Sequence, residues 1–210
     1  GGKFYIRIED TTPENVYSKS YKMIFSESRW LWGKNTKIII QSDRMKIYYK
    51  YLERLFKKNA IYVCTCSSEK FKVYTEKMIN CPCRNKSAKE NLLDWGKMIS
   101  KNKKIQFKEG GAVIRFKSKM DLENPALRDF PLARINDTKH VRQGNKYRVW
   151  PLMNLAVAVD DIEMIITHLI RGLDHYDNSK KQEMIFKTLG KKYPISRFTG
   201  LYDFKDLELS

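Results

Sequence analysis

The chain has 210 residues, 41 Lys and Arg against 24 Asp and Glu, and a formal net charge of +17. Hydrophobic content of 42% with 12% aromatic residues excludes a disordered basic tail, which would be poor in both, while the charge excess points to a phosphate-bearing partner. No run approaches the roughly 18–20 apolar residues that cross a bilayer, and GGKFYIRIED lacks a signal pattern, so a soluble cytoplasmic protein without a membrane partner is expected.

The first block reads as strand, helix, strand, helix. Phe4, Ile6 and Ile8 alternate with Tyr5, Arg7 and Glu9 at period two, the pattern of a strand. Thr12 is placed to cap a helix with Pro13 at its first position. Tyr17, Tyr21, Ile24, Ser28 and Leu31 follow at helical spacing as far as Gly33. Lys37 to Ile40 gives a short strand, and Ser42 is expected to cap a helix whose apolar face is Met45, Tyr48, Tyr49, Leu52, Leu55 and Phe56. Strands alternating with helices predict one parallel sheet covered on both sides.

After Tyr62 the character changes. A helix is expected over 88–100, with Leu92, Trp95, Met98 and Ile99 inward, and a strand over 112–117; the proline, glycine and asparagine around them mark loops. Residues 61–148 read as an insertion between 1–60 and 149–210. The last block returns to the first pattern, with apolar Leu155 to Val159, a strand over 164–170 and a helix over 177–189 stopped by Gly190. His168 reads as a core histidine rather than a ligand.

Three places carry chemistry. Ligands of open parallel sheets bind beyond the carboxyl ends of strands, where Glu9 to Thr12 and Arg171 to His175 stand. Glu9 can receive an ammonium and Arg171 a carboxylate; the alternative is that each pairs with the other or with surface charges. Cys64, Cys66, Cys81 and Cys83 form two C-x-C pairs fourteen residues apart, a spacing that closes four thiolates around one structural zinc. Free buried thiols and a redox pair are the competing readings. The basic residues Arg115, Lys117, Lys119, Arg128, Arg134, Lys139, His140, Arg142, Lys146 and Arg148, interleaved with aromatics, suit phosphate tracking on RNA.

As a set, GGKFYIRIEDTTPE, IIIQSDRMKIYYKYLERL, YVCTC with CPCR, VIRFKSKMDLENPALRDFPLARI, and YRVWPLMNLAVAVDD with ITHLIRGLDH resemble glutamyl-tRNA synthetases of the archaeal and eukaryotic cytosolic type, class I aminoacyl-tRNA synthetases. The resemblance runs from residue 2 to about 209. It implies an α/β fold, a Rossmann-type parallel sheet split by an insertion lobe that grips the tRNA acceptor end. It also implies activation of glutamate with ATP and magnesium, followed by transfer to tRNA. Position by position, it implies that Glu9 receives the substrate amino group and Arg171 a substrate carboxylate. Gly172, Asp174, His175 and Leu201 would line the ATP site. Among the basic residues of the insertion, Lys117, Arg142 and Lys146 are expected to meet tRNA. Met153 would face the amino acid where many relatives carry Tyr, and Val157 stands where bacterial members have Asn. The family signatures HIGH and KMSKS are absent, which leads to the expectation of a fragment inactive alone. Glutaminyl-tRNA synthetase is the sibling alternative, disfavoured by VAVDD and RGLDH; a non-catalytic zinc-containing RNA-binding module is the other.

Overall fold

The computed structural model describes residues 5–33 and 36–200. Strand β1 (Tyr5–Ile8) pairs in parallel with β2 (Lys37–Ile40), and helix α1 (Ser18–Trp32) connects them. Helix α2 (Met45–Lys57) leads into a four-stranded antiparallel sheet of β3 (Ile61–Cys64), β4 (Val113–Phe116), β5 (Pro131–Ile135) and β6 (Val149–Pro151). Helices α3 (Ser68–Glu76) and α4 (Ala88–Ile99) lie between β3 and β4. Helix α5 (Met153–Glu163), β7 (His168–Gly172), α6 (Tyr176–Thr188) and β8 (Ile195–Thr199) complete the chain, with β7 and β8 parallel.

The predicted single parallel sheet is not formed among the described residues, where β1–β2 and β7–β8 stand as separate two-stranded pairs. What joins them is α5 rather than a backbone ladder, because its Asp161 accepts an arginine from each pair.

The main core gathers on α2. Met45, Tyr48, Leu52, Leu55 and Phe56 are each 1% exposed or less, and each contributes about 1.5–3 kcal/mol by leaving water. The core draws residues from Met45 to Leu189, so the middle segment packs on the same apolar mass as α5 and α6. Trp95 of α4 meets Tyr49 edge-on at 5.0 Å. The free edge of β3 is closed by side chains: the Val63 N–H donates to Asn91 Oδ1 at 2.8 Å, and its carbonyl accepts from Lys86 Nζ at 3.0 Å. Asn91 and Asp94 therefore turn inward on α4 while Leu92 stays 40% exposed.

Several local expectations are corrected. Thr12 makes no side-chain cap; Pro13–Asn15 is one short 3-10 turn, and α1 starts only at Ser18. Ser42 caps no helix, since its N–H and hydroxyl both donate to Asp10. The strand expected over 164–170 starts at His168, because α5 ends in a tight reverse turn: Ile166 N–H donates to the Asp161 carbonyl and Ile165 N–H to that of Ile162, a Schellman closure. It forces Ile165 to φ 55°, a region that costs a β-branched residue about 1–2 kcal/mol. Ile165 is 82% exposed, so Ile165→Asn is expected to raise stability by about 1 kcal/mol. The urea midpoint checks this; an unchanged or lower midpoint contradicts it.

Candidate functional site

Period two puts Arg7 and Glu9 on one face of β1, and Arg7 Nε lies 3.2 Å from Glu9 Oε1. The same guanidinium reaches Asp161 Oδ1 at 2.8 Å through Nη1. From β7, Arg171 donates through Nη1 to Ser179 Oγ at 3.1 Å and Gln182 Oε1 at 2.6 Å, and its Nη2 lies 3.5 Å from Asp161 Oδ2. Glu9 and Arg171 thus do not bind one another; they are linked through Arg7 and Asp161. The neighbouring Asp160 is taken by Arg44 at 2.7 Å, Tyr48 and Gln41. Burial pushes the Asp161 carboxyl above its ordinary range although Arg7 and Arg171 draw it down. Burial also opposes the Arg7 charge, but Asp161, Glu9 and Asp160 together raise its pKa.

The electrostatic consequence is an unequal share. Two guanidinium groups meet one buried carboxylate, and Arg7 holds the shorter bond, so Arg171 is left with neutral partners and one long ionic contact. Such a cation favours an incoming carboxylate. Glu9, with 41% of its side chain exposed, borders a cavity of about 300 Å³ lined also by Arg7, Asp10, Tyr17 and Tyr21. Arg171 is not part of that lining.

At the carboxyl end of β7, Gly172 leads into the 3-10 turn Leu173–His175 and then α6. A Cβ at Gly172 would meet only the Asp174 carboxylate, which is exposed and free to turn aside. His175 lies with Nε2 3.6 Å from Asp174 Oδ2 and with Nδ1 3.2 Å from the Asn178 amide. Leu201 lies outside the described residues. Met153 opens α5 and is 38% exposed, whereas Val157 is buried in the core. In the sequence, Asp160 and Asp161 stood out only within VAVDD, with no role given to either side chain, and nothing marked Ser179 or Gln182. The one available signal was two adjacent acids ending an apolar run.

The four cysteines meet. Cys64 and Cys81 are fully buried, and Cys66 and Cys83 half-buried. Their sulfurs are 3.7 Å apart for Cys64–Cys81, 3.4 Å for Cys66–Cys81 and 3.7 Å for Cys66–Cys83, and all four lie within 4.8 Å. Tetrahedral ligands at about 2.3 Å from a metal would be about 3.8 Å apart, so the group can hold one metal ion. Burial pushes the Cys81 thiol up. It does the same to Cys83, but Thr65, Cys66 and Lys86 outweigh it and bring that thiol down to about 7. Arg84 ties the cluster to the sheet, pairing with the buried Asp129 and donating to the Ser118 carbonyl at 2.7 Å.

The basic residues divide. Arg128 is bound to the carbonyls of Leu122, Thr75 and Glu123. Arg148 holds Asp137 and the carbonyls of Met98, Ser100 and Phe107. Both are buried and are structural ties, not phosphate contacts. Lys117 donates to Asn59 Oδ1 at 2.7 Å, and burial followed by the Arg84 charge lowers its pKa. Arg142 pairs with Asp43 at 2.7 Å over the Tyr21 ring. Lys146 lies over the Tyr147 ring at 5.4 Å.

The histidines exchange their expected roles. His168 is exposed on β7. His140 is fully buried and stacks on Trp150 at 4.8 Å; its Nδ1 accepts the N–H groups of Arg142 and Gln143, and its Nε2 meets the Asp10 carbonyl at 2.9 Å. It fastens the 140–144 hairpin to the end of β1. Among the described residues no helix is long and apolar enough to cross a membrane.

A family model described as tRNA synthetases class I (E and Q), catalytic domain, matches residues 1–210. The chain is 43% identical over 213 residues to a glutamate–tRNA ligase of Pyrococcus horikoshii, covering 100% of this chain and 37% of that protein. A glutamate–tRNA ligase of Methanothermobacter marburgensis matches at 43% over 209 residues with the same coverage. The chain therefore spans little more than a third of these relatives. A glutamate tRNA ligase from Elizabethkingia meningosepticum, crystallised with its amino acid, superposes with a TM-score of 0.66 at 20% identity, covering 95% of this chain and 43% of that one. That likeness concerns the fold.

Proposed function

Because this chain belongs to the class I tRNA synthetases for glutamate and glutamine, whose catalytic-domain model it matches from end to end, we propose that it serves in a glutamate–tRNA ligase. Such an enzyme activates glutamate with ATP and magnesium and transfers it to tRNA. The observation that carries this reading is the 43% identity along the whole chain to archaeal glutamate–tRNA ligases. In this reading residues 1–60 and 149–210 carry the amino-acid and ATP site, and 61–148 form the acceptor-binding insertion.

Glutamate enters with its ammonium on Glu9, which is exposed and paired only with Arg7 among its described contacts. A substrate carboxylate meets Arg171, whose share of Asp161 is the weaker one. Met153 supplies apolar contact beside them. Gly172, Asp174 and His175 take ATP, supported by their place at the carboxyl end of β7. A glutamate carboxylate oxygen attacks the α-phosphorus of ATP and pyrophosphate leaves; the terminal adenosine hydroxyl of tRNA then attacks the acyl carbon of the adenylate, forming the ester as AMP departs. Cys64, Cys66, Cys81 and Cys83 hold a structural zinc, supported by their sulfur spacing; four thiolates leave that ion no open position for chemistry.

The test is charging. The full-length enzyme carrying these residues is expected to attach glutamate to tRNA, and equal kcat/KM with glutamine would overturn the reading. Lys117→Glu, Arg142→Glu and Lys146→Glu are expected to weaken tRNA binding and to flatten its salt dependence by about one unit in log–log slope for each phosphate contact removed. Unchanged salt dependence in all three would remove them from the interface.

A further inference from the structure

The two ends of the proposed glutamate site sit on strands that share no backbone ladder among the described residues. Something else must fix their separation, and a continuous ionic chain runs between them: Glu9 to Arg7 at 3.2 Å, Arg7 to Asp161 at 2.8 Å, Asp161 to Arg171 at 3.5 Å. Only Glu9 is largely exposed, at 41% of its side chain, against 20% for Arg7, 1% for Asp161 and 13% for Arg171. Asp161 lies in the helix whose Leu155, Ala156, Ala158 and Val159 are fully buried, so its carboxylate has a rigid base. Arg7 uses different nitrogens for its two partners, Nε for Glu9 and Nη1 for Asp161. A planar guanidinium holds the two partners in one fixed geometry.

We propose that Asp161 and Arg7 are positioning residues that set the distance and charge balance between the ammonium-accepting Glu9 and the carboxylate-binding Arg171. This rests on the pocket reading above and deepens it. Asp161 holds Arg171 on one oxygen and Arg7 on the other, so α5 gauges the span that a substrate must bridge. The same sharing keeps Arg171 incompletely neutralised. When substrate ammonium takes over Glu9, Arg7 retains Asp161 as counter-ion and is not left buried and unpaired.

The experiment measures KM for glutamate and for ATP, with kcat and melting temperature, in the full-length enzyme for Asp161→Asn, Asp161→Glu and Arg7→Lys beside Glu9→Gln and Arg171→Ala. Asp161→Asn keeps the shape and removes the charge. It is expected to raise KM for glutamate by about tenfold or more, the scale of one charge-assisted bond, while KM for ATP moves by less than about twofold. Arg7→Lys, which keeps the charge but loses the fork, is expected to raise glutamate KM in the same way. Asp161→Glu is expected to recover part of the loss. A merely structural role would instead lower the melting temperature and move both KM values together, which overturns the proposal. A well-folded Asp161→Asn with unchanged glutamate KM also overturns it. If Asp161→Asn does not fold, Arg7→Lys decides by the same criteria. If Glu9→Gln and Arg171→Ala also leave glutamate KM unchanged, the pocket assignment itself has failed; if they raise it and the positioning variants do not, only the present inference has.

Discussion

With the four cysteines holding zinc as proposed, replacing Cys81 with Ser is expected to release the metal and to loosen residues 61–87, lowering stability by several kcal/mol, since binding of a structural zinc contributes directly to folding at about 10–16 kcal/mol in small zinc peptides. Cys81 is fully buried and its sulfur lies within reach of both Cys64 and Cys66, so a serine hydroxyl there offers the ion a poor third or fourth ligand. The effect should stay local at first, because the main core from Met45 to Leu189 does not include the cysteines. It should then spread through Arg84, whose partner Asp129 is fully buried and would be left without a cation. Ligand thiols must lose their protons to bind, so acidification is expected to release metal and alkaline conditions to favour it. Elemental analysis of protein purified without chelator checks the stoichiometry, and well under one zinc per chain would refute the site.

The second large effect is on catalysis. In the full-length enzyme, on the pocket proposed above, Glu9→Gln and Arg171→Ala are each expected to lower kcat/KM for glutamate by at least about tenfold, because a charge-assisted hydrogen bond contributes about 1.5–3 kcal/mol and 1.4 kcal/mol is tenfold. The two substitutions are unequal as tests. Glu9 is exposed and removing its charge frees only Arg7, so Glu9→Gln should leave the melting temperature near that of the parent. Arg171 is half-buried between Ser179, Gln182 and Asp161, so its loss also strands polar groups and costs stability. Steady-state kinetics with melting curves on the same preparations separate the two. Parent-like kcat/KM in Glu9→Gln would dismiss the pocket.

How much of this was legible in the sequence follows from what kind of signal each feature leaves. The inner face of α2 was readable because six large apolar residues repeat at helical spacing, five of them buried, and the cysteine cluster because its four thiols lie within twenty residues. Gly33 and Gly190 marked helix ends correctly, at φ 82° and 69°. The turn at Ile165 was not readable, since a β-branched residue in the left-handed region contradicts its own preference and is held there by α5. Asp160 and Asp161 were invisible as a hub because four of their partners, Arg7, Gln41, Arg44 and Tyr48, lie more than a hundred residues away, and the fifth, Arg171, stands ten residues on in a different element. Arg128 and Arg148 looked like phosphate ligands because sequence shows a charge but not the backbone carbonyls that surround it. His140 and His168 were misread for the complementary reason. An apolar neighbourhood along the chain, as around His168, says little when the strand's outer face is open, and a polar neighbourhood, as around His140, conceals the Trp150 ring beneath.

The ionic joint at α5 also has a consequence for vectorial synthesis. Arg7 waits 154 residues for Asp161, and Gln41 and Arg44 wait 119 and 116 residues for Asp160. At about 5–20 residues per second the first of these intervals lasts roughly 8–30 s on the ribosome. Until it ends, β1 and β2 lack their ionic tie to α5, and a two-stranded pair is marginal in water. The half of the site that carries Glu9 is therefore made first and fixed late, and its geometry is decided when the two adjacent aspartates of α5 leave the exit tunnel.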